Sequence, residues 1–152
     1  MEIVHKLKST FLECEATTIP KVLLNPCDYL VYGITDSNYF YRNYYADPAN
    51  DYVKYNRGHF GTNIYSRVQS YHIIANMICI KLPKSICNMK PFKMKAFTKC
   101  CYNLKDFSIK NEIKEIHTPI FGSKILEGNW QEILNVMQQI FNQTIERMYI
   151  YG

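Results

Sequence analysis

Tryptophan is nearly absent from this chain, one in 152 residues, and glycine and proline are sparse at six each. So little Gly and Pro excludes collagen-like and low-complexity chains. A content of 47% hydrophobic and 20% charged residues excludes a disordered one. No apolar run approaches the ~20 residues that span a bilayer. Met1–Thr10 carries Glu2, Lys6 and Lys8 without an apolar stretch, so no secretory leader is expected. No C-x-x-C pair occurs among Cys14, Cys27, Cys79, Cys87, Cys100 and Cys101. The adjacent Cys100 and Cys101 do not readily chelate one metal from a helix. We read the six as reduced, buried thiols in a cytoplasmic protein, with no metal and no cofactor.

Acidic charge is the minority: 13 Asp and Glu against 18 Lys and Arg give a net +5. The densest basic run, Lys90–Lys99, holds four Lys. That pattern reads as a solvated helix face. Neither nucleic acid nor a membrane is an expected partner, and the sequence carries no signature of an oligomeric state. What is abundant is aromatic, with 13 Tyr and eight Phe. The length suits one domain over residues 1–152.

The partial alternation in Glu2–Glu15 predicts one or two short strands. Pro20 and Pro26 predict a loop or short helix, and Tyr29–Gly33 a buried strand feeding the loop Gly33–Asn38. Asp36-Ser37-Asn38 reads as a turn, and the aromatic stretch from Tyr39 to Tyr55 as a short helix or a lid. His72–Ile80 is the strongest buried strand. Met94, Phe97, Cys101 and Leu104 fall at helical spacing within Phe92–Phe107. A strand over Glu115–Phe121, a Gly-bounded loop over Gly122–Asn129, a helix over Trp130–Asn142 and a strand over Glu146–Tyr151 complete the chain. Continuous apolar strands interleaved with helices predict an α/β fold, its mostly parallel sheet covered on both faces. Ligands of such sheets sit in loops beyond strand C-termini, here Gly33–Asn38 and Gly122–Asn129. Glycines and helix N–H groups suit the second loop to an anion, with Asn129 as N-cap. Of the histidines, His117 reads as a core or backbone-bonded residue and His59 as exposed loop.

The segment Pro119–Trp130 resembles the second ligand loop of macro domains, the ADP-ribose-binding modules. It matches at Pro119, Gly122, Gly128 and Trp130, and the closing Tyr149-Ile-Tyr151 follows in order. Cys27–Gly33 resembles the strand entering the family's first loop, and Ile73–Met77 its central strand. On this short chain the pattern is similar to phage and bacterial ADP-ribose 1''-phosphate phosphatases. The Lys-, Ile-, Asn- and Tyr-rich composition suits a phage genome, which would place the protein in the host cytoplasm.

The resemblance implies a three-layer α/β/α macro-domain-like fold with a mostly parallel mixed sheet, and an ADP-ribose-like nucleotide ligand. Gly122, Ser123, Lys124, Ile125, Leu126 and Gly128 would wrap the diphosphate and distal ribose, with Gly33 and Ile34 facing them. Glu15, or second Glu13, would accept from the adenine amine, and Tyr151 would sit near the adenine. Thr35 occupies the place of the family's catalytic Asn, with Asn38 as stand-in and Asp36 able to orient water. Tyr39-Phe40-Tyr41 replaces first-loop glycines, and Lys124 replaces a glycine of the second. Tyr39, Tyr41, Tyr44 and Tyr45 could wall a purine or ribose. The implied functions are hydrolysis of ADP-ribose 1''-phosphate or of ADP-ribosyl esters. The alternative is a non-catalytic binder that sequesters an NAD-derived signal, as a phage anti-defence protein would.

Overall fold

The computed structural model describes residues 1–11, 18–28, 35–45, 59–81, 91–122 and 128–152, except the side chains of Asp36 and Asn38. In chain order, the elements are β1 (Glu2–Lys6), a 3-10 turn (Lys8–Thr10), β2 (Lys21–Asp28) and α1 (Asp36–Arg42). Then come β3 (Asn63–Gln69), β4 (His72–Ile80), α2 (Met94–Lys110), β5 (Glu115–Pro119), α3 (Trp130–Phe141) and β6 (Arg147–Tyr151).

The strands form one six-stranded sheet in the order β1-β6-β5-β2-β4-β3. All neighbours are parallel except β3, which runs antiparallel to β4. The expected α/β architecture with a mostly parallel mixed sheet is therefore present. β4 coincides with the apolar run His72–Ile80. α2 starts at Met94 and runs past Phe107, burying Phe97, Cys100, Cys101, Leu104 and Ser108 along one stripe. α3 is capped as its sequence suggests: the Asn129 side chain accepts from the Glu132 N–H at 3.1 Å.

Two layers of packing flank the sheet. On one face, Val22, Leu24, Ala75, Met77, Ile116, Met148 and Ile150 meet the apolar stripes of α2 and α3. On the other, Leu23, Ile74 and Tyr151 meet Phe11 and the aromatic face of α1, namely Phe40 and Tyr41, with Tyr45 beyond its end. Between the apolar patches of this second face lies a polar seam. Asn25 donates to Asn76 Oδ1 at 2.8 Å, and Asn76 donates to the Ile64 carbonyl and to Ser66 Oγ.

β2 corrects the expected loop or short helix around Pro20 and Pro26. The Lys21 N–H donates to the Tyr71 carbonyl at the start of β4. Odd-numbered residues of β2 therefore aim their backbone groups at β4, and even-numbered ones aim at β5. β5 pairs with β2 only over Lys21–Leu23 and then parts from it. Pro26 thus turns its missing N–H toward the gap, where no ladder bond is lost. The freed carbonyls find side-chain donors instead. The Leu24 carbonyl accepts from Tyr41 Oη at 2.7 Å, and the Pro26 carbonyl from Thr35 and Ser37 hydroxyls at 3.0 and 3.1 Å. The expected turn at Asp36–Asn38 is correspondingly the first turn of α1. Its small hydroxyl residues anchor the helix to the open strand edge. The strand expected over Tyr29–Gly33 lies outside the described residues, as does most of the segment to Tyr55.

Candidate functional site

The split between β2 and β5 is a topological switch point. From β2 the chain proceeds through α1 and the edge strand β3 to β4 on one side, and from β5 through α3 to β6 on the other. Open parallel sheets bind ligands in the crevice beyond the strand C-termini at such a point. A cleft of about 540 Å³ opens there. It is lined by Lys8 from the 3-10 turn, Thr35, Tyr39 and Phe40 at α1, Pro119 and Ile120 at the end of β5, and Gly152 after β6. Its walls are apolar and partly uncovered: Tyr39 is 66% and Ile120 43% exposed. Lys8 is the one cationic side chain among the described lining residues. An apolar slot with one cation suits a planar ring attached to an anion.

The loop between β5 and α3 closes at its neck. Gly122 has φ of 82°, the left-handed region that favours glycine. A Cβ on Gly128 would fall 2.6 Å from Gly122 Cα, so the two ends of the loop touch through their backbones. Phe121 anchors the neck below, edge-on to Trp130 at 5.4 Å.

Of the expected site residues, Thr35 lines the cleft, while Gly122 and Gly128 meet each other at the neck of the loop that follows β5. The Thr35 hydroxyl is buried and donates into the sheet. Asp36 and Asn38 lie in the first turn of α1, their side chains undescribed. Gly33, Ile34, Ser123, Lys124, Ile125, Leu126 and Glu15 lie outside the described residues, as does Glu13. Tyr151 is buried behind the cleft wall, its ring 5.1 Å from Phe11 and 6.3 Å from Phe40. Of the weighed Tyr wall, Tyr39 faces the cleft, while Tyr41 and Tyr45 pack on the sheet.

Lys8, Ile120 and Gly152 were not singled out from the sequence. Each sits in an ordinary stretch and joins the cleft only through strand order. Asp28 is a buried carboxylate at the end of β2, after a register shift. A misplaced strand hid it, because Pro26 reads as a breaker.

Beneath the cleft runs a buried polar chain. An ionised carboxylate only accepts, so Glu115 Oε1 takes the Nε2–H of His117 at 3.1 Å. His117 Nδ1 is then the acceptor for the Tyr151 hydroxyl at 2.9 Å. Burial holds His117 below its ordinary value, against the opposing pull of Glu115. The bond to His117 holds Glu115 low despite burial. Both shifts favour the fold at neutral pH. The His117 contribution is whole above 6.5, the Glu115 contribution above 4.5, and each is lost as pH falls toward the group's own lower value. The melting temperature is therefore expected to fall on acidification from about pH 7 to about pH 5, less steeply in His117→Gln. A wild-type melting temperature that is flat over that range would contradict the arrangement.

The four described cysteines are buried and unbonded. Burial pushes the Cys27, Cys79 and Cys101 thiols up, and Cys100 to about 12, so none supplies a thiolate at neutral pH. Among the described residues, no group of three or more His, Cys, Asp and Glu could hold a metal ion. No described helix is long and apolar enough to cross a membrane.

The sequence matches no family model and no curated protein. The structure, in contrast, is similar to many solved ones. Over 99% of this chain it superposes on 98% of a protein of unknown function from Bacteroides thetaiotaomicron, at 17% identity and a TM-score of 0.80. A macrodomain protein from Streptomyces coelicolor is similar over 99% of both chains, at 18% identity and a TM-score of 0.75. DarTG from Thermosipho africanus, solved in complex with ADP-ribose, is similar over 85% of this chain and 37% of its own, at 13% identity and a TM-score of 0.60. The chain has the macrodomain fold.

Proposed function

We propose that this protein binds ADP-ribose or a closely related NAD-derived nucleotide in the cleft between β2 and β5. The observation that carries this reading is the cleft's position at the switch point, flanked by the glycine neck of the second loop. A planar base would lie between Tyr39 and Ile120. The diphosphate would lie toward the start of α3, a helix N-terminus that favours an anion, with Ser123–Leu126 as the residues the resemblance assigns to it. The ADP-ribose complex of a structural neighbour supports the same ligand class.

Hydrolysis of a 1''-phosphate or an ADP-ribosyl ester would fall to Asp36 or Asn38 acting on water. The Thr35 hydroxyl is turned into the sheet, with the Pro26 carbonyl as its acceptor, and this favours a sequestering binder over an enzyme. Calorimetric titration with ADP-ribose tests the reading. Saturable micromolar binding, about −8 kcal/mol, is expected, weakened about tenfold in Tyr39→Ala, as the loss of one aromatic contact predicts. No heat and no thermal shift would overturn it. Phosphate release from ADP-ribose 1''-phosphate then separates enzyme from binder.

A further inference from the structure

The Glu115–His117–Tyr151 chain is not required by nucleotide binding as such, yet it ends against the cleft wall. Three observations connect it to the site. The Tyr151 ring touches Phe11 and Phe40, and Phe40 lines the cleft. The next residue, Gly152, also lines the cleft and packs so tightly on Ile120 that a Cβ there would fall 2.5 Å from Ile120 Cδ1. The His117 ring is stacked within 20° of both Tyr149 and Tyr151, so it cannot turn without moving β6 side chains.

We propose that His117 is a positioning residue for the cleft: its protonation reverses the hydrogen bond to Tyr151 and, through Phe40, Ile120 and Gly152, weakens ligand binding. In the neutral ring Nε2–H is committed to Glu115, and Nδ1 holds the Tyr151 hydroxyl as a donor. A proton taken up at Nδ1 makes that nitrogen a donor. Tyr151 must then accept from it and send its own proton elsewhere. The charged groups facing the ring explain why the neutral form prevails. Glu115 on β5 favours the cation. Lys21 on β2 and Lys6 on β1 oppose it, as does burial. From β6, Tyr149 and Tyr151 face the ring as neutral phenols. From the 3-10 segment and α1, Phe11 and Phe40 cover Tyr151 without charge.

The test needs no ligand. In a nuclear magnetic resonance titration of the free protein from about pH 8 to about pH 5, the Ile120 and Gly152 amides are expected to move with the midpoint of the His117 ring. Tyr151→Phe should abolish that movement while His117 still titrates. Cleft amides that stay still while His117 titrates would overturn the proposal. So would a His117 ring that takes up no proton before the fold melts. With ADP-ribose added, the wild-type Kd is expected to rise about tenfold on acidification, the size of effect that one altered hydrogen bond gives. In Tyr151→Phe it should stay nearly constant. Failure of ADP-ribose to bind at either pH would sink the nucleotide reading alone, since the amide titration stands without it.

Discussion

Gly128→Ala is expected to lose about 1–3 kcal/mol of stability and to weaken nucleotide binding about 100-fold, near 2.8 kcal/mol. The new methyl meets backbone, not a flexible side chain: Gly122 Cα would lie 2.6 Å away and the Gly122 carbonyl oxygen 3.1 Å away. Gly122 cannot retreat freely. It is already at φ 82°, and a Cβ built on it would itself fall 2.8 Å from Ile133 Cδ1 and 3.4 Å from Gly128 Cα, so the space around it is filled. The neck must therefore open. Gly61→Ala is the control. Gly61 also has positive φ, at 85°, but its Cβ would meet the flexible Lys99 stem, and neither residue lines the cleft. It should cost about 1–2 kcal/mol and leave affinity unchanged. Equal affinities for Gly128→Ala and wild type would show that the neck does not hold the ligand loop.

Phe11→Ala is expected to cost about 3–5 kcal/mol, the usual range for deleting a buried phenylalanine. Phe11 is 1% exposed and is the centre of the aromatic layer. Its ring lies 5.0 Å from Phe40, 4.5 Å from Tyr44 and 5.1 Å from Tyr151. With Phe40 and Tyr151 it ties the 3-10 segment, α1 and β6 together. A drop of roughly 10 °C in melting temperature is expected at this chain length. Weaker ligand binding should accompany it, because Phe40 loses its support. Phe11→Leu should recover most of the stability, and Phe11→Ala within ~2 °C of wild type would contradict the packing.

Much of the fold was legible because its signals are local. β4 is a near-continuous apolar run, and α2 and α3 carry apolar residues at helical spacing. β2 was illegible because whether Pro26 breaks a strand depends on which neighbour its nitrogen faces, a fact of sheet order. β3 was passed over because it is an edge strand with half-exposed residues and no apolar run. The first turn of α1 reads as a loop because Asp36, Ser37 and Asn38 are turn formers, and the helix is expected only from Tyr39. Here the hydroxyls of Thr35 and Ser37 satisfy a distant carbonyl instead. The resemblance pointed to the second loop, whose glycine neck the structure displays. Lys8, Ile120 and Gly152 come from separate segments and meet only once β1, β5 and β6 are neighbours. The Glu115–His117–Tyr151 chain likewise needs the register that sets His117 opposite Tyr149.

The central claim is that a nucleotide occupies the crevice between β2 and β5. Mapping backbone amide shifts as ADP-ribose is added tests it most directly. The largest changes are expected at Lys8, Thr35, Tyr39, Ile120, Gly122, Gly128 and Gly152, with α2 unmoved. Changes centred on the lysines of α2, or none at a saturating ligand concentration, would contradict it.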